Sequence, residues 1–546
     1  MNKFFKRLAV GVLSLAMAAG LVAYTPAATV EAKEDLDGKL VVIHTNDMHG
    51  HYEKNEEEGT LGMSSVRALK GYYERQGANV LLLDAGDFSQ GTNLVNYYKG
   101  LDAIYFMNAA GYDAATLGNH EFDFGFDALL EMAAAADFPI LDANIISKET
   151  GEPYFGDNKI FTFSDMTVGV FGLDTPETQT KASPKNVKDV TFLDDAQLYA
   201  CAQEQVNELK AAGCDYVICI GHLGVDEESM GRRSIDVAAQ VTGIDLFIDG
   251  HSHTRIDGGM DVNGTKIVST GNYLESIGVV IYDGKTTTAS LVSDMFKFGG
   301  CPDMDAFVKT FADIVNEAYA GTFATTTSQL NGNRAPGVRT EETNLGDFAA
   351  DAYKYIAQTY ADENDMDMTI DAAIQNGGGI RATIEPGDIS MDTLYTVFPY
   401  GNTISIVTVT GEELLEALEA SCFACPDALG GFPQVSGIVF TIDTTVPYAQ
   451  GAQYPDSTYF APAAPGSRVT IESVGGKDFD LKATYNIAVN NFMADGGDTY
   501  YVFAQSANVI ETGVVDAEGL ISYVNSLNGV IGDEYAASKG NITIIR

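Results

Sequence analysis

Between Lys39 and about Gly300, short runs of consecutive apolar residues recur, each followed by polar residues and then by a helical pattern. The runs at 40–43, 80–83, 168–171, 216–220 and 246–248 are unbroken. Such runs fit strands covered on both faces, and strands alternating with helices predict a layered α/β domain. Near Asp303 the rhythm changes. Phe307, Phe311, Ile314, Val315 and Ala318 recur at helical intervals over 305–319, which predicts a helix leading into a second domain. Beyond it, helical stretches such as 411–419 mix with strands and with Pro/Gly-rich connections around 446–466. The predicted organisation is an N-terminal layered α/β domain over 36–300, a linker-helix region at 301–330 and a C-terminal α+β domain over 331–546, with no internal repeat.

The first residues read differently. A basic start, an apolar stretch over 8–24 and a small-residue exit at 29–32 predict a secretory signal peptide over 1–32, with the mature chain beginning near Lys33. As an anchor the stretch is short and broken by Gly11, Ser14 and Gly20, and no later run has the length of a spanning helix, so no transmembrane segment is expected in the mature chain. The expected location is outside the cell or within its envelope, extracellular or periplasmic. Composition is that of a globular chain, with 45% hydrophobic and 20% charged residues. Its 32 Lys and Arg face 76 Asp and Glu, a net charge of −44. That balance argues against a hold on nucleic acid polymers or anionic lipid, and an anionic small molecule has to be held by local cations. Of the six cysteines only Cys422 and Cys425 are close in sequence, and no further ligands stand nearby, which favours a local disulfide or buried thiols over a zinc knuckle.

All seven histidines, His44, His49, His51, His120, His222, His251 and His253, precede residue 254. Most fall in short motifs at predicted strand ends: Asp47-Met-His49, Gly86-Asp87, Gly118-Asn-His-Glu-Phe-Asp123, Gly221-His222 and Asp249-Gly-His-Ser-His253. The carboxyl ends of strands in an α/β sheet form its ligand crevice, so these motifs can converge. One histidine after a strand is ordinarily a hydrogen-bonded structural residue, and Gly-Asp an ordinary turn. Five such motifs mixing imidazole, carboxylate and amide point instead to two divalent cations sharing a carboxylate. His44, inside the first strand pattern, is expected to be structural. His51 is expected either to support the ligands or to be exposed. His120 and Asp123 form an imidazole–carboxylate pair able to stabilise charge on a phosphoryl group or to assist a leaving alkoxide, while the competing reading of Asp123 is a helix cap.

The runs Ile43-His-Thr-Asn-Asp-Met-His-Gly50, Gly86-Asp-Phe-Ser-Gln-Gly91, Gly118-Asn-His-Glu-Phe-Asp123, Gly221-His222 and Gly250-His-Ser-His253, in this order, resemble the calcineurin-like metallophosphoesterase domain of the 5′-nucleotidase family. The resemblance implies two divalent metal ions such as Zn, Mn or Co. One would take Asp47, His49, Asp87 and His253, the other Asp87, Asn119, His222 and His251, with Asp87 as the bridge. It also gives His120 and Asp123 the catalytic role; some members carry an amide where His253 stands. Thr343-Asn-Leu-Gly346, Gln375-Asn-Gly-Gly-Gly-Ile-Arg381, Val397-Phe-Pro-Tyr-Gly-Asn402 and Asn491-Phe-Met-Ala-Asp-Gly-Gly-Asp498 resemble the substrate-binding domain of the same family. There Tyr400, where Phe is common, and Phe492 would sandwich a nucleobase, and Arg339, Asn376, Arg381, Asn402 and Asp498 would complete the substrate-binding set. Aromatic faces stack on any base, a carboxylate accepts from ribose hydroxyls, and a guanidinium forks onto an anion.

Plainer readings compete at several places. The glycines at 377–379 permit a tight turn, and Tyr400 and Phe492 read equally as core residues. Gly284-Lys-Thr286 imitates the end of a phosphate-binding loop, but Val279 stands where its first glycine belongs, so Asp283-Gly284 is expected to be a hairpin turn. The acidic stretch 53–58 reads as a solvated loop. The chain is thus expected to be an exported dinuclear-metal phosphohydrolase that converts a nucleotide to nucleoside and phosphate through an activated water. The alternatives are a 2′,3′-cyclic phosphodiesterase with 3′-nucleotidase activity, a UDP-sugar or nucleoside-diphosphate hydrolase, and a secreted nucleotide-binding protein without turnover.

Overall fold

The computed structural model describes residues 36–546 except 57–58, 184, 227–228, 296–297 and 456. The expected signal peptide, and Glu57 and Glu58 of the acidic stretch, lie outside the described residues. The chain divides into two compact units, one built from residues up to Thr178 and Asn186–Val315, the other from Gln179–Lys185 and Asn316–Arg546.

The first unit holds two sheets. Its strands are β1 (Leu40–Thr45), β2 (Asn79–Asp84), β3 (Ala114–Ala115), β4 (Asn158–Thr162), β5 (Thr167–Asp174), β6 (Tyr216–His222), β7 (Leu246–Asp249), β8 (Arg255–Val262), β9 (Thr265–Thr270), β10 (Ile277–Tyr282) and β11 (Thr287–Val292). One sheet has the order β11-β10-β1-β2-β3 and the other β8-β9-β7-β6-β5-β4. In the first sheet β1, β2 and β3 pair parallel while β10 pairs antiparallel with both β1 and β11; in the second, β5, β6, β7 and β9 pair parallel and the edge strands β4 and β8 antiparallel. All five apolar runs are strands. Leu40 and Val42, Leu81 and Leu83, Val168 and Val170, Ile218 and Ile220, and Leu246 and Ile248 share one buried core, which places the two sheets face to face. The intervening residues Phe171, Val217, Cys219 and Phe247 pack outward on Leu198, Ala202, Val206 and Leu209 of helix Ala196–Ala211 and on Val237 and Ala238 of helix Ser234–Gln240. Helix Gly62–Arg75 covers β1 and β2. Coverage on both sides explains why these runs do not alternate. Because β1, β2 and β3 run parallel, as do β5, β6 and β7, the carboxyl ends within each set emerge together.

One expectation changes in detail and another holds. Helix Pro302–Tyr319 forms, but its buried stripe is Met304, Val308, Phe311, Ala312 and Val315. Phe307 and Ile314 flank that stripe half-buried and Ala318 is exposed, because the first unit ends at Val315 and its core no longer faces the last turn. Turn 283–286 joins β10 to β11 as a hairpin, with Asp283 accepting from the backbone N–H groups of Lys285 at 3.0 Å and Thr286 at 2.8 Å.

The second unit is built on a mixed sheet of β12 (Ala372–Asn376), β13 (Thr403–Thr410), β14 (Pro433–Ser436), β15 (Thr484–Asn490) and β16 (Val509–Val515), in the order β14-β12-β15-β13-β16. Neighbouring residues enter opposite cores. Ala373, Ile404, Ile406 and Ala488 pack with Leu345, Phe348 and Tyr353 of helix Asn344–Glu363. Ala372, Ile374, Val407, Val409, Ile487 and Val489 pack with Leu414, Ala417 and Leu418 of helix Gly411–Ser421. The first helix is capped by Thr343 and the second by a reciprocal Thr410–Glu413 box. The 446–466 stretch, expected only as connection, carries a small ribbon of Gln450–Gln453 with Phe460–Pro462. All six cysteines, Cys422 and Cys425 included, are buried free thiols.

Candidate active site

The turn after β1 carries Asp47 and His49, that after β2 Asp87, that after β3 Asn119 and His120; His222 closes β6, and His251 and His253 follow β7. Five of these residues have left-handed backbone: Asp47 (φ 49°), His49 (45°), Asp87 (57°), His251 (73°) and His253 (54°). A side-chain-bearing residue there costs on the order of 1–3 kcal/mol, so a cluster of them persists only where the surroundings impose it. The surroundings do. Asp47 N–H donates to Gly86 O and His49 N–H to Asp87 O, both at 2.9 Å, locking the first turn onto the second. The approach is close enough that a methyl group on Gly118 would lie 2.3 Å from Asp87 Oδ1.

His49 and His222 are each anchored through Nδ1 on a main-chain carbonyl. His49 Nδ1–H donates to Gln90 O (2.8 Å), which turns Nε2 toward His253 Nε2 (3.2 Å) and Asp87 Oδ2 (3.6 Å). His222 Nδ1–H donates to Ala85 O (2.7 Å), which leaves its buried Nε2 3.0 Å from Asp87 Oδ2 and 4.0 Å from Asp47 Oδ1. His253 Nε2 lies 3.5 Å from Asp47 Oδ1, and His251 Nδ1 lies 2.9 Å from Asn119 Oδ1. In neutral His49 and His222 the Nε2 lone pair therefore faces carboxylate oxygens. Two acceptors brought so close in a dry pocket require a positive charge between them. The electrostatics agree: burial disfavours protonated His222, yet Asp87, Asp47 and Asp174 raise its pKa well above the ordinary value. Burial likewise opposes charge on Asp87, but His222, His120 and His49 hold it well below the carboxylate range. Asp47, mainly through burial, is pushed up to about 7. Two donor sets have atoms all within 4.8 Å of one another, Asp47 with His49 and His253, and Asp47 with Asp87 and His222. Imidazole nitrogens and carboxylate oxygens in these sets fit divalent cations of borderline or hard character.

His120 stands beside them, its backbone N–H donating to Asp87 Oδ1 (3.0 Å) and its ring centroid 5.3 Å from that of His49. Its Nδ1 is 2.6 Å from Asp123 Oδ2. The helix that follows starts at Phe126 with Gly125 at its cap position, so Asp123 orients the imidazole and is not that helix's cap. His44 is buried in β1 and His51 stacks on Tyr273 at 4.2 Å; burial pushes them down to about 3 and about 4. Three residues escaped the sequence reading. Asn46 donates to Asp47 Oδ2 at 2.7 Å. Glu121 is fully buried and accepts from the N–H groups of Asp87, Phe88, Ser89 and Gly118 and from Ser89 Oγ, at 2.7–2.9 Å. Glu177, beyond β5, meets His251 Nε2 at 3.0 Å. Glu121 lies inside a quoted motif, and Glu177 follows a strand tip that carries no histidine to advertise it.

In the second unit the expected substrate residues lie at strand ends and in the loops beside them, except Phe492, which sits in the short helix Asn491–Ala494. Asn376 Nδ2 donates to Asp498 Oδ2 at 3.0 Å, and Asn376 Oδ1 accepts from Asn490 at 2.9 Å. Arg381 lies over the Tyr400 ring, 5.7 Å from its centroid. Burial, with Arg381 and Arg334 nearby, lowers Arg339 to about 10, so three guanidiniums share one neighbourhood. Gly377–Gly379 forms a single 3₁₀ turn, where a methyl on Gly377 would lie 2.0 Å from Val338 O, so the glycine serves a close approach. Phe492 is half-buried against the second core, with Gly497 beneath its ring. Asn402 accepts through its backbone carbonyl from Asp516 N–H at 2.8 Å. Asp498 is itself left-handed (φ 49°), and its N–H donates to Thr180 O at 3.1 Å, within the segment Gln179–Lys185. Lys185 of that segment pairs with Asp495 at 3.0 Å and Glu511 at 3.6 Å.

Comparison with known proteins gives two family matches, calcineurin-like phosphoesterase over residues 40–255 and 5′-nucleotidase, C-terminal domain over 320–505. The chain is 31% identical over 533 residues to the trifunctional nucleotide phosphoesterase protein YfkN of Bacillus subtilis (strain 168), an alignment covering 88% of the chain and 33% of that relative, so the chain spans about a third of its length. It is 28% identical to the 5′-nucleotidase of Vibrio cholerae serotype O1, covering 96% of the chain and 97% of the relative. Among solved structures, the 5′-nucleotidase precursor from Thermus thermophilus is similar with a TM-score of 0.73 and 28% identity, covering 93% and 99% of the two chains.

Proposed function

We propose, for a chain that belongs to the 5′-nucleotidase family and is a metal-dependent phosphoester hydrolase, that it acts outside the cytoplasm and removes the 5′-phosphate of nucleotides to give nucleoside and inorganic phosphate. The observation that carries this reading is the inward-facing set of imidazole nitrogens and carboxylate oxygens from His49, His222, His253, Asp47 and Asp87. Two divalent cations held there, with Asn119 and His251 completing the ligand set, supply Lewis acidity toward phosphate oxygens and a water of lowered pKa. Asp123 orients His120 through Nδ1, so that the opposite ring edge can donate to a phosphoryl oxygen or pass a proton to the leaving alkoxide. Arg339 and Arg381 offer planar forks to an anion. Tyr400 and Phe492 offer aromatic faces to the base, and Asn376 presents Asp498 to the ribose hydroxyls.

Export rests on the leader pattern at 1–32; among the described residues no helix is long and apolar enough to cross a membrane. The strongly acidic balance favours a small nucleotide over a nucleic acid polymer. A specific observation keeps one other reading in view: the relative from Bacillus subtilis is named trifunctional. Phosphate release from AMP, ADP, UDP-glucose, 2′,3′-cAMP and 3′-AMP, measured after chelation and again after metal add-back, decides between them. AMP is expected to be the best substrate and to need the metal. Turnover confined to the cyclic or 3′ compounds would overturn the 5′ assignment, and binding without turnover in Mn²⁺ or Zn²⁺ would overturn the enzymatic one.

A further inference from the structure

Three histidines at the strand tips differ in how they are held. His49 and His222 are each anchored by Nδ1–H on a main-chain carbonyl and present Nε2 inward. His251 is reversed. Its Nδ1 lies 2.9 Å from Asn119 Oδ1, and its Nε2 lies 3.0 Å from Glu177 Oε2. A carboxylate oxygen only accepts, so the contact places the ring proton on Nε2 and the lone pair on Nδ1. Glu177 is 3% exposed, and a buried acid of this kind is retained only with a hydrogen-bonding partner. The turn carrying it is fixed as well: Asp174 accepts from Thr178 Oγ1 at 2.9 Å and from Thr175 N–H at 2.7 Å, and Glu177 N–H donates to Thr175 Oγ1 at 3.3 Å.

We infer that Glu177 is a positioning residue for the metal centre: its carboxylate selects the Nε2–H tautomer of His251, so that Nδ1 and Asn119 Oδ1 converge on one cation. The inference rests on the dinuclear reading above, and its test separates the two. Co²⁺ binding to chelator-treated protein is followed by calorimetry and by the visible spectrum for wild type, His251→Ala, Glu177→Ala and Glu177→Gln. Wild type is expected to bind two ions and His251→Ala one. Glu177→Ala should retain two sites with one weakened about 10- to 100-fold, the usual effect of removing such an outer partner. Glu177→Gln, whose amide oxygen still accepts, should lie between wild type and Glu177→Ala. The ¹⁵N signature of His251 should show the Nδ1 lone pair in wild type and a tautomer mixture in Glu177→Ala. Should Glu177→Ala misfold, the Gln variant carries the test, with an unchanged melting temperature in chelator and a smaller rise on adding Co²⁺. Two sites of wild-type affinity in the Glu177 variants, with one lost in His251→Ala, would overturn the role of Glu177 alone. Two undiminished sites in His251→Ala would overturn the ligand assignment beneath it.

Discussion

His120 and His44 show how environment divides one residue type between chemistry and architecture. His120 is paired with Asp123 at 2.6 Å beside the candidate metal-binding tips. His120→Ala should therefore lower kcat by about 10²-fold or more while metal content, measured by elemental analysis, stays at the wild-type level; an unchanged kcat would remove its role. His44 has no such task. Its ring fills β1 over Gly278, where a methyl group would sit 1.9 Å from Nε2, and burial lowers its pKa from 6.5 to about 3. The unfolded chain thus takes the proton first. The neutral ring carries no penalty above pH 6.5, and stability is lost as the pH falls from there toward 3, at about 1.4 kcal/mol per unit. His44→Leu should flatten the acid limb of urea-unfolding free energy measured in chelator. Matching slopes in the two proteins would show that the ring titrates elsewhere.

The strands supply direction and the turns beyond them supply donors, and Glu121 joins two of those turns. Its carboxylate gathers the backbone donors of 87–89 and of Gly118, which sets the Asp87 tip against the one bearing Asn119 and His120. Glu121→Ala would strand four buried N–H groups, at about 1–3 kcal/mol apiece before relaxation. A melt in chelator should show a large loss of stability, and equilibrium dialysis a loss of metal; a near-wild-type melt would mean that water replaces the carboxylate without cost. This division of labour also decides what could be read in advance. The runs at 40–43 and 216–220 announced buried strands because both faces are covered, and histidines marked the tips. The two-residue strand β3 is too short for any periodicity, and Glu121 and Glu177 reach the neighbouring tips through contacts spanning 32 to 74 residues that no local pattern carries. Helical spacing also assigned Ala318 to the buried stripe of helix Pro302–Tyr319, because nothing in that spacing marks where one core stops.

Across the whole molecule the net charge of −44 opposes an anionic substrate at long range. With AMP as the proposed substrate, kcat/KM should rise as sodium chloride goes from about 10 to 150 mM and the Debye length shrinks from about 30 to 8 Å. A fall over that range would mean that a local cationic field dominates the approach. The residues Gln179–Lys185 carry a separate lesson for anyone dissecting the protein by cloning. A gene fragment opened at codon 316 would encode a second unit deprived of its own Thr180 carbonyl and Lys185 ammonium, leaving Asp498 without its tether and Asp495 without its cation. Poor ligand binding by such a truncate would report a missing heptapeptide, and complementation with that peptide in trans is the control it calls for.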